Sequence, residues 1–183
     1  MNISNDKKAF SLIEVVVVIG IVVVGMLGVS SLMLQNLQAE NIDRDNLVAS
    51  MLAQEGLELV RNQRDLNWLT GGAVWTDRII GDGGGDSSYM IDYYPGDVEI
   101  NFYYGADNIN DANLQIDPYG FYAHDTVEHG SVSGWPDTNF YRLIEVADNL
   151  ANGYLEIKCT VRFFHLGQPK DYVATTHLYS WRY

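Results

Sequence analysis

The hydrophobic pattern changes twice along the chain, and its first part is the most apolar. Residues 15–34 read VVVVIGIVVVGMLGVSSLML, twenty consecutive positions without a charged side chain. An α-helix of that length spans about 30 Å, the thickness of the hydrocarbon layer of a bilayer. Because a backbone in lipid has to satisfy its own hydrogen bonds, this segment is predicted to form a membrane helix despite its many valines.

The next segment, residues 35–69, keeps a helical period but is polar on one side. Its apolar positions recur at the spacing of a helix face; they are Val48, Met51, Leu52, Leu59 and Val60. Oppositely charged residues stand three or four positions apart, as in Glu40–Arg44, Glu58–Arg61 and Arg61–Asp65. We therefore expect one helix from about Phe10 to about Asp65, roughly 80 Å long, in which Gly56 marks close packing against a sheet.

From Thr70 onward the pattern changes to turn formers separated by short aromatic runs that favour strands. These runs lie at 89–94, 98–104, 120–124 and 139–148. The run YLEIKCTVRFFH at 154–165 alternates apolar and polar residues, GQPKD turns the chain, and YVATTHLYSWRY returns it. We expect an α+β fold, with a terminal antiparallel hairpin in a sheet of about four strands packed on the helix.

The charge balance narrows the possible partners. The 183 residues include 24 acidic and 11 basic side chains, giving a formal net charge of −13. Binding to phosphates needs lysines and arginines that displace counterions, so we expect no bulk nucleic-acid binding. Twelve tyrosines and four tryptophans are too many for a disordered chain. The tyrosines are expected in the core of the head, and the alternative is that they form exposed loops that bind glycans, cells or other proteins.

Three interpretations of the apolar segment are open. Lys7 and Lys8 precede it and predict a cytoplasmic N-terminus with the remainder exported. The segment is then a secretory signal cut near Gly28-Val29-Ser30, or an uncleaved anchor. In both of these, the carboxylate of Glu14 at the start of the segment is only a cost. The third interpretation cuts the chain before the apolar segment and keeps the helix.

The third interpretation has a specific signature in residues 7–14, KKAFSLIE. These residues resemble the processing site of type IV pilins and pseudopilins. In that family a short basic leader ends in a small residue, usually Gly, and is followed by Phe and a Thr/Ser-Leu-Ile-Glu run. Phe10 to Glu14 match in register, whereas Ala9 departs from the usual Gly. The resemblance covers residues 7 to about 35.

The resemblance implies that a membrane-embedded prepilin peptidase cuts between Ala9 and Phe10, and that Phe10 becomes the N-methylated first residue. Glu14 then faces the amino group of a neighbouring subunit's first residue, which offsets the cost of a carboxylate in lipid. The alternative is that Glu14 lies at the membrane edge and reaches water. The implied divisions are a leader at 1–9, a transmembrane and filament-core helix at 10–34, an amphipathic half of the helix at 35–69 and a β-rich head at 70–183.

The function implied by the resemblance is that of a structural subunit of a type IV pilus or related filament, not an enzyme. The implied partners are further copies of the chain or other pilins, the prepilin peptidase and the pilus assembly platform. The chain is expected first in the cytoplasmic (inner) membrane, spanning it once, and then in an extracellular filament. Two alternatives stay open: a minor pilin or pseudopilin that primes or tips a pilus, secretion or DNA-uptake filament, and a membrane-anchored surface enzyme or binding module.

Oxygen-rich segments of the head are candidate calcium sites. The denser segment, DNINDANLQID at 107–117, supplies the candidate ligands Asp107, Asp111, Asn113 and Asp117, and calcium prefers such oxygen ligands. GDGGGD at 81–86 is a weaker candidate, without the spacing of an EF-hand.

Two further groups of residues are weaker candidates still. His124 and His129 stand five apart, which is not the spacing of a helical zinc pair. Cys159 lies on the apolar face of a predicted strand, where cysteine packs as a small hydrophobe rather than acting as a nucleophile.

Overall fold

The computed structural model describes residues 11–70, 74–81, 84–93, 100–104, 106, 108–117, 119–124 and 135–180. The chain divides into two compact units, residues 1–44 and 45–183. The second unit contains part of a long helix packed against an antiparallel sheet. The predicted α+β fold is therefore confirmed.

A single helix of 59 residues, α1 (Leu12–Thr70), contains nearly all of the first continuous stretch of described residues. The carbonyl of Ser11 accepts its first hydrogen bonds, from the amides of Glu14 at 3.0 Å and Val15 at 3.3 Å. At the other end, the hydroxyl of Thr70 donates to the carbonyl of Leu66 at 3.0 Å. The helix thus continues for more than one turn beyond the end predicted near Asp65.

The described residues form a sheet of seven strands, so the prediction of about four was wrong. The strands are β1 (Ser87–Tyr93), β2 (Ile100–Tyr104), β3 (Asn113–Ile116), β4 (Tyr122–Ala123), β5 (Asp137–Asn149), β6 (Tyr154–His165) and β7 (Gln168–Tyr179). Two of the seven strands are short, with four residues in β3 and two in β4, which lies within the aromatic run at 120–124. Half of the residues of β3 are also polar, and its Asn113 disfavours a strand in a sequence-based prediction.

The longest strand, β5, organises the sheet. One edge of β5 pairs with β6 from Phe140 to Asn149. Its other edge pairs with β1 around Glu145 and with β3 around Tyr141. Strand β2 then pairs with β1, β4 with β3, and β7 with β6. Strand β5 therefore pairs directly with β1, β3 and β6.

The predicted C-terminal hairpin is confirmed, but its turn is tighter than expected. Strands β6 and β7 are joined by Leu166 and Gly167 alone, which have φ angles of 50° and 75°. Two-residue hairpin turns with two positive φ angles match the twist of the flanking strands. Pro169 and Asp171 belong to β7 rather than to the turn, opposite Phe164 and Arg162 of β6.

The core of the head lies between the second part of α1 and one face of the sheet. The helix contributes small and aliphatic side chains, among them Ala49, Leu52, Ala53, Leu57 and Val60. The facing side chains of β6 are those predicted from its alternation: Leu155, Ile157, Cys159, Val161 and Phe163 are all buried. Burial of these apolar side chains is the main force that holds helix and sheet together.

Gly56 marks a close approach of α1 to the sheet, as predicted. A Cβ atom at this position would lie 3.1 Å from Cδ1 of Ile144, 3.2 Å from Sγ of Cys159 and 3.4 Å from Cδ of Arg142. The helix contacts β5 and β6 directly at this point because glycine has no side chain. A larger residue would force neighbouring side chains out of their positions in a close-packed interior.

We predict that Gly56→Val destabilises the head by about 1–3 kcal/mol, the usual cost of overpacking a core. The matched control is Gln54→Val, because Gln54 is exposed on the same helix and its replacement costs only helix propensity, at most about 0.7 kcal/mol. Thermal unfolding of the full chain in detergent micelles measures both. Equal unfolding midpoints for the two variants would contradict the close approach.

Candidate functional site

The first part of α1 is an exposed apolar surface. Every residue from Leu12 to Leu34 is exposed, and the large hydrophobic side chains among them are 46% to 82% exposed. Soluble monomeric proteins rarely expose contiguous apolar patches larger than a few hundred Å². This surface therefore requires lipid or another apolar partner.

Among the described residues, α1 is the one helix long and apolar enough to cross a membrane. Its length and composition fit a membrane anchor. A secretory signal near an N-terminus has the same properties. The choice between the three interpretations therefore depends on the residues around Glu14 rather than on hydrophobicity.

Glu14 is the single charged residue between Ser11 and Ala39. It lies in the first turn of α1, is exposed, and borders a shallow groove with Val15, Val18 and Ile19. The partial positive charge of a helix N-terminus stabilises an acid there by about 0.3–1 kcal/mol. A charged side chain at the centre of a membrane helix costs about 2.5–3.5 kcal/mol even on the lowest scale. The helix dipole alone therefore does not balance a carboxylate that is fully immersed in lipid.

The predicted processing site, Ala9 and Phe10, lies outside the described residues. Cleavage between these two residues and methylation of Phe10 stay predictions. The pairing of Glu14 with a neighbouring subunit also stays a prediction, because it concerns a second copy of the chain.

Comparison with known proteins supports the third interpretation of the N-terminus. Residues 4–30 match the family model described as "Prokaryotic N-terminal methylation motif". No curated protein and no solved structure matches the chain. The matched range includes Ala9, Phe10, Glu14 and most of the apolar segment, and none of the head. The chain thus carries the N-terminal signal of type IV pilin-like and pseudopilin precursors. This signal indicates a structural subunit.

A second notable group of residues is a charged cluster buried in the head. Arg142 of β5, Asp92 of β1 and His124, which follows β4, are only 0%, 3% and 2% exposed. The Arg142 guanidinium donates to an Asp92 oxygen at 2.9 Å and to the carbonyl of Ile91 at 2.8 Å. It also reaches α1, donating to the carbonyl of Leu52 at 3.3 Å.

His124 completes this cluster from the other side of Asp92. Its Nδ1 lies 2.9 Å from each carboxylate oxygen of Asp92, and its backbone amide donates to Asp92 Oδ2 at 2.8 Å. Its Nε2 lies 3.2 Å from the carbonyl oxygen of Arg142. The cluster therefore connects β1, β4 and β5 with each other, and through Arg142 with α1.

The electrostatics of the cluster favour an ionised Asp92. Burial raises the pKa of Asp92, but the charge and hydrogen bonds of His124 and the charge of Arg142 outweigh it, so that its pKa lies below the usual value. For Arg142, burial lowers the pKa, and the carboxylates of Glu55 and Asp92 raise it above its ordinary value. Glu55 Oε1 is 3.4 Å from the guanidinium and half-exposed, at 46%. A buried charge that keeps its partners is tolerated, whereas one that loses a partner is very costly.

Arg142 and Asp92 were not predicted from the sequence as members of a site. A signal was present in the alternation, since Arg142 stands two residues from Phe140 and two from Ile144, both on the buried face of β5. A charged residue in such a position needs a buried counterion. Its counterion comes from a strand some fifty positions away, and sequence spacing alone does not identify it.

Of the predicted calcium ligands, Asp107 lies outside the described residues, and Asp111 and Asn113 lie together. They line a cavity of about 390 Å³ with Gln115 and Asp137. The side-chain oxygens of Asn113 and Gln115 are buried without a hydrogen-bond partner among the described residues, and Asp137 accepts from Gln115 at 2.7 Å.

Asp117, the fourth candidate ligand, is not among the residues that line this cavity. It is buried, and its Oδ1 accepts from the amides of Tyr119 at 2.9 Å and Phe121 at 2.8 Å. Asp117 therefore stabilises the turn that contains Tyr119 and Phe121. Within the described part of the chain, no three His, Cys, Asp or Glu side chains are grouped as for a metal ion. The calcium site stays a prediction.

Among the remaining candidate residues, Asp86 and Cys159 lie in the described part of the chain, and both have structural roles there. Asp82 and His129 lie outside the described residues, and Asp86 Oδ1 accepts from the amide of Asp148 at 2.9 Å. Burial raises the pKa of the Cys159 thiol to about 12. Cys159 therefore stays a protonated thiol at neutral pH, which is a poor nucleophile.

We predict that Asp92→Asn destabilises the head by about 3–5 kcal/mol at pH 7, because it leaves buried positive charge without its counterion. The pKa of Asp92 is lowered by folding, so its stabilisation is present above the unfolded value of about 3.9 and is lost as the pH falls through the lower folded value. The difference between variant and wild type should accordingly shrink below about pH 4. Unfolding of the full chain in detergent micelles at several pH values measures it.

Asp171→Asn is the matched control for this change. Asp171 accepts two hydrogen bonds from Arg162, at 2.7 and 2.8 Å, but its side chain is 38% exposed. An exposed pair contributes about 0–1 kcal/mol. If the two variants lose equal stability at neutral pH, the charge at Asp92 has no special role.

Calcium binding at the predicted site is tested by a second variant. Calcium should raise the unfolding midpoint of the full chain over that in chelator, and Asp111→Asn should abolish the increase by removing a charged ligand. Asp43→Asn, an exposed position of α1, should leave the increase intact. Equal midpoints of the wild-type chain in calcium and in chelator would rule out a stabilising calcium site.

Proposed function

We propose that the chain is a structural subunit of a type IV pilus or related filament, processed between Ala9 and Phe10 and assembled through its N-terminal helix. One observation carries the proposal: residues 12–39 of α1 form an exposed, mostly apolar helix whose single charge is the carboxylate of Glu14 in the first turn. A simple anchor gains nothing from an acid at this position. A helix that stacks against copies of itself gains from such an acid, because pairing of the charge selects one register.

The proposed assembly contact is an ion pair between subunits. After cleavage, the new amino group of Phe10 stands four residues before Glu14, about one helical turn away. In a filament, Glu14 meets the ammonium of the neighbouring subunit's Phe10, and the pairing offsets much of the cost of each charge in an apolar environment. A subunit in the wrong register leaves a carboxylate unpaired in an apolar environment, so the pair selects one register.

The proposed function includes three steps before this contact forms: membrane insertion, cleavage and transfer into the filament. The precursor spans the cytoplasmic membrane once, with its N-terminus in the cytoplasm, where Lys7 and Lys8 hold the leader. Prepilin peptidase removes residues 1–9, and the assembly platform transfers the helix from lipid into the filament. The apolar surface of α1 then exchanges lipid neighbours for the same segment of other subunits, without exposure to water.

A role as a minor pilin or pseudopilin, priming or tipping a pilus, secretion or DNA-uptake filament, is the alternative within the same family. The processing site and the contact of Glu14 are the same in both roles. The number of copies per filament separates them, because a major subunit dominates the mass of sheared filaments. A minor subunit is a trace component.

Processing is tested with variants of Ala9. Co-expression with a prepilin peptidase should convert the precursor to a product shorter by the nine-residue leader. Ala9→Gly should be cut at least as well as the wild-type chain, because Gly is the usual residue at this position of the family. Ala9→Leu should stay uncut, since a bulky side chain replaces the small one. Cleavage of all three at one rate, or after Gly28, would contradict the proposed site.

Assembly is tested with Glu14→Gln. The amide keeps the shape of the side chain and removes its charge, so membrane insertion should be equal or better while the filament yield falls at least several-fold. Glu40→Gln is the matched control, because Glu40 is the next charged residue on the same exposed helix. Membrane fractions and sheared filaments, quantified in parallel, separate insertion from assembly. Normal filaments from Glu14→Gln would rule out the pairing.

A further inference from the structure

His124 is buried between two different acceptors. Its Nδ1 faces the carboxylate of Asp92 at 2.9 Å, and its Nε2 faces the carbonyl oxygen of Arg142 at 3.2 Å. The carboxylate of Asp92 and a backbone carbonyl both accept hydrogen bonds and do not donate them. Both ring nitrogens of His124 therefore need a proton if both contacts are to be hydrogen bonds.

A neutral imidazole meets only one of these two requirements. It carries one N–H, so its other nitrogen turns a lone pair towards an acceptor at hydrogen-bond distance. The doubly protonated ring donates to both groups. We propose that His124 is a proton-dependent clasp, which in its doubly protonated form ties β1 to β5 through the Asp92 carboxylate and the Arg142 carbonyl.

Several elements place charged groups near His124. Asp92 of β1 is in direct contact with His124, and the guanidinium of Arg142 of β5 lies on the far side of that carboxylate. The other titratable groups near the cluster are Glu55 of α1, Cys159 of β6, and Asp111 and Asp137, which line one cavity with His124. Cys159 stays uncharged, so the charged groups near His124 are these four carboxylates and the guanidinium of Arg142.

The clasp lies where the helix meets the sheet. Arg142 accepts from His124 through its carbonyl and donates to the Leu52 carbonyl of α1 through its guanidinium. Loss of the His124 proton leaves one acceptor facing a lone pair and removes one of the positive charges beside Asp92. The junction of β1, β4 and β5 is then held less firmly beneath the helix, without any change in the apolar core.

The test is the pH dependence of unfolding of the full chain in detergent micelles. Histidine titrates between about pH 5 and 8, and Asp92 stays ionised over this range because its pKa lies below the usual value. The unfolding temperature of the wild-type chain should exceed that of His124→Gln most at about pH 5.5, and the excess should fall as the pH rises to about 8. An excess that is constant or grows with pH would overturn the clasp.

His177→Gln is the control, because His177 is an exposed residue of β7 whose Nε2 faces Glu156 at 3.6 Å. The unfolding temperature of His177→Gln should stay close to that of the wild-type chain at every pH. If His124→Gln does not fold, nitrogen-15 NMR of the wild-type chain at about pH 6 decides the question. Two protected ring N–H signals from His124 are expected, and a single ring N–H in the folded protein would overturn the proposal.

Discussion

The structure depends first on one constraint: the first part of α1 is an apolar surface that no other described residue covers. From Leu12 to Leu34, α1 exposes large hydrophobic side chains on all sides. Water is an unfavourable environment for such a surface. The proposed life cycle supplies two apolar environments in succession: the bilayer before assembly and the bundle of neighbouring helices afterwards. Glu14 is the exception in this otherwise uniform surface, and in the proposed filament its pairing gives the helices a defined register.

The same helix meets a different constraint in the head, where it has to approach a sheet that contains a buried guanidinium. Gly56 lets the helix come close enough for Arg142 to reach the carbonyl of Leu52. The buried charge then requires Asp92, and Asp92 is shared with His124. Apolar packing and a polar network thus occupy one junction. The network gives a directional contact where aliphatic packing alone permits sliding.

Much of this arrangement follows from local patterns. The length of the apolar run, the helical period after it, the alternation of β6 and the close approach at Gly56 all depend on residues near one another in the chain, and all were predictable. The aromatic run at 120–124 favoured a strand and contains β4, whereas β3 was not predicted, because a strand of four residues gains its stability from its neighbours in the sheet rather than from its own sequence.

The buried cluster was harder to predict for a related reason. Asp92 and Arg142 are brought together by the pairing of β1 with β5, and His124 by the pairing of β3 with β5 and β4. Asp92 and His124 alone resemble solvated polar residues of a strand and a loop, and the position of Arg142 on the buried face of β5 does not identify its partners. The N-terminal signal was recognisable because its residues, Lys7 to Glu14, are consecutive in the chain. The residues of the buried cluster are far apart in the chain and meet only through strand pairing.

Mass spectrometry of filaments sheared from the cell surface tests the central proposal most directly. A subunit that assembles as proposed yields an N-terminal peptide that begins at Phe10 and carries a methyl group on its amino nitrogen. Absence of the chain from the filaments, or a mature protein that begins after the apolar segment, for example at Ser31, would contradict the proposal.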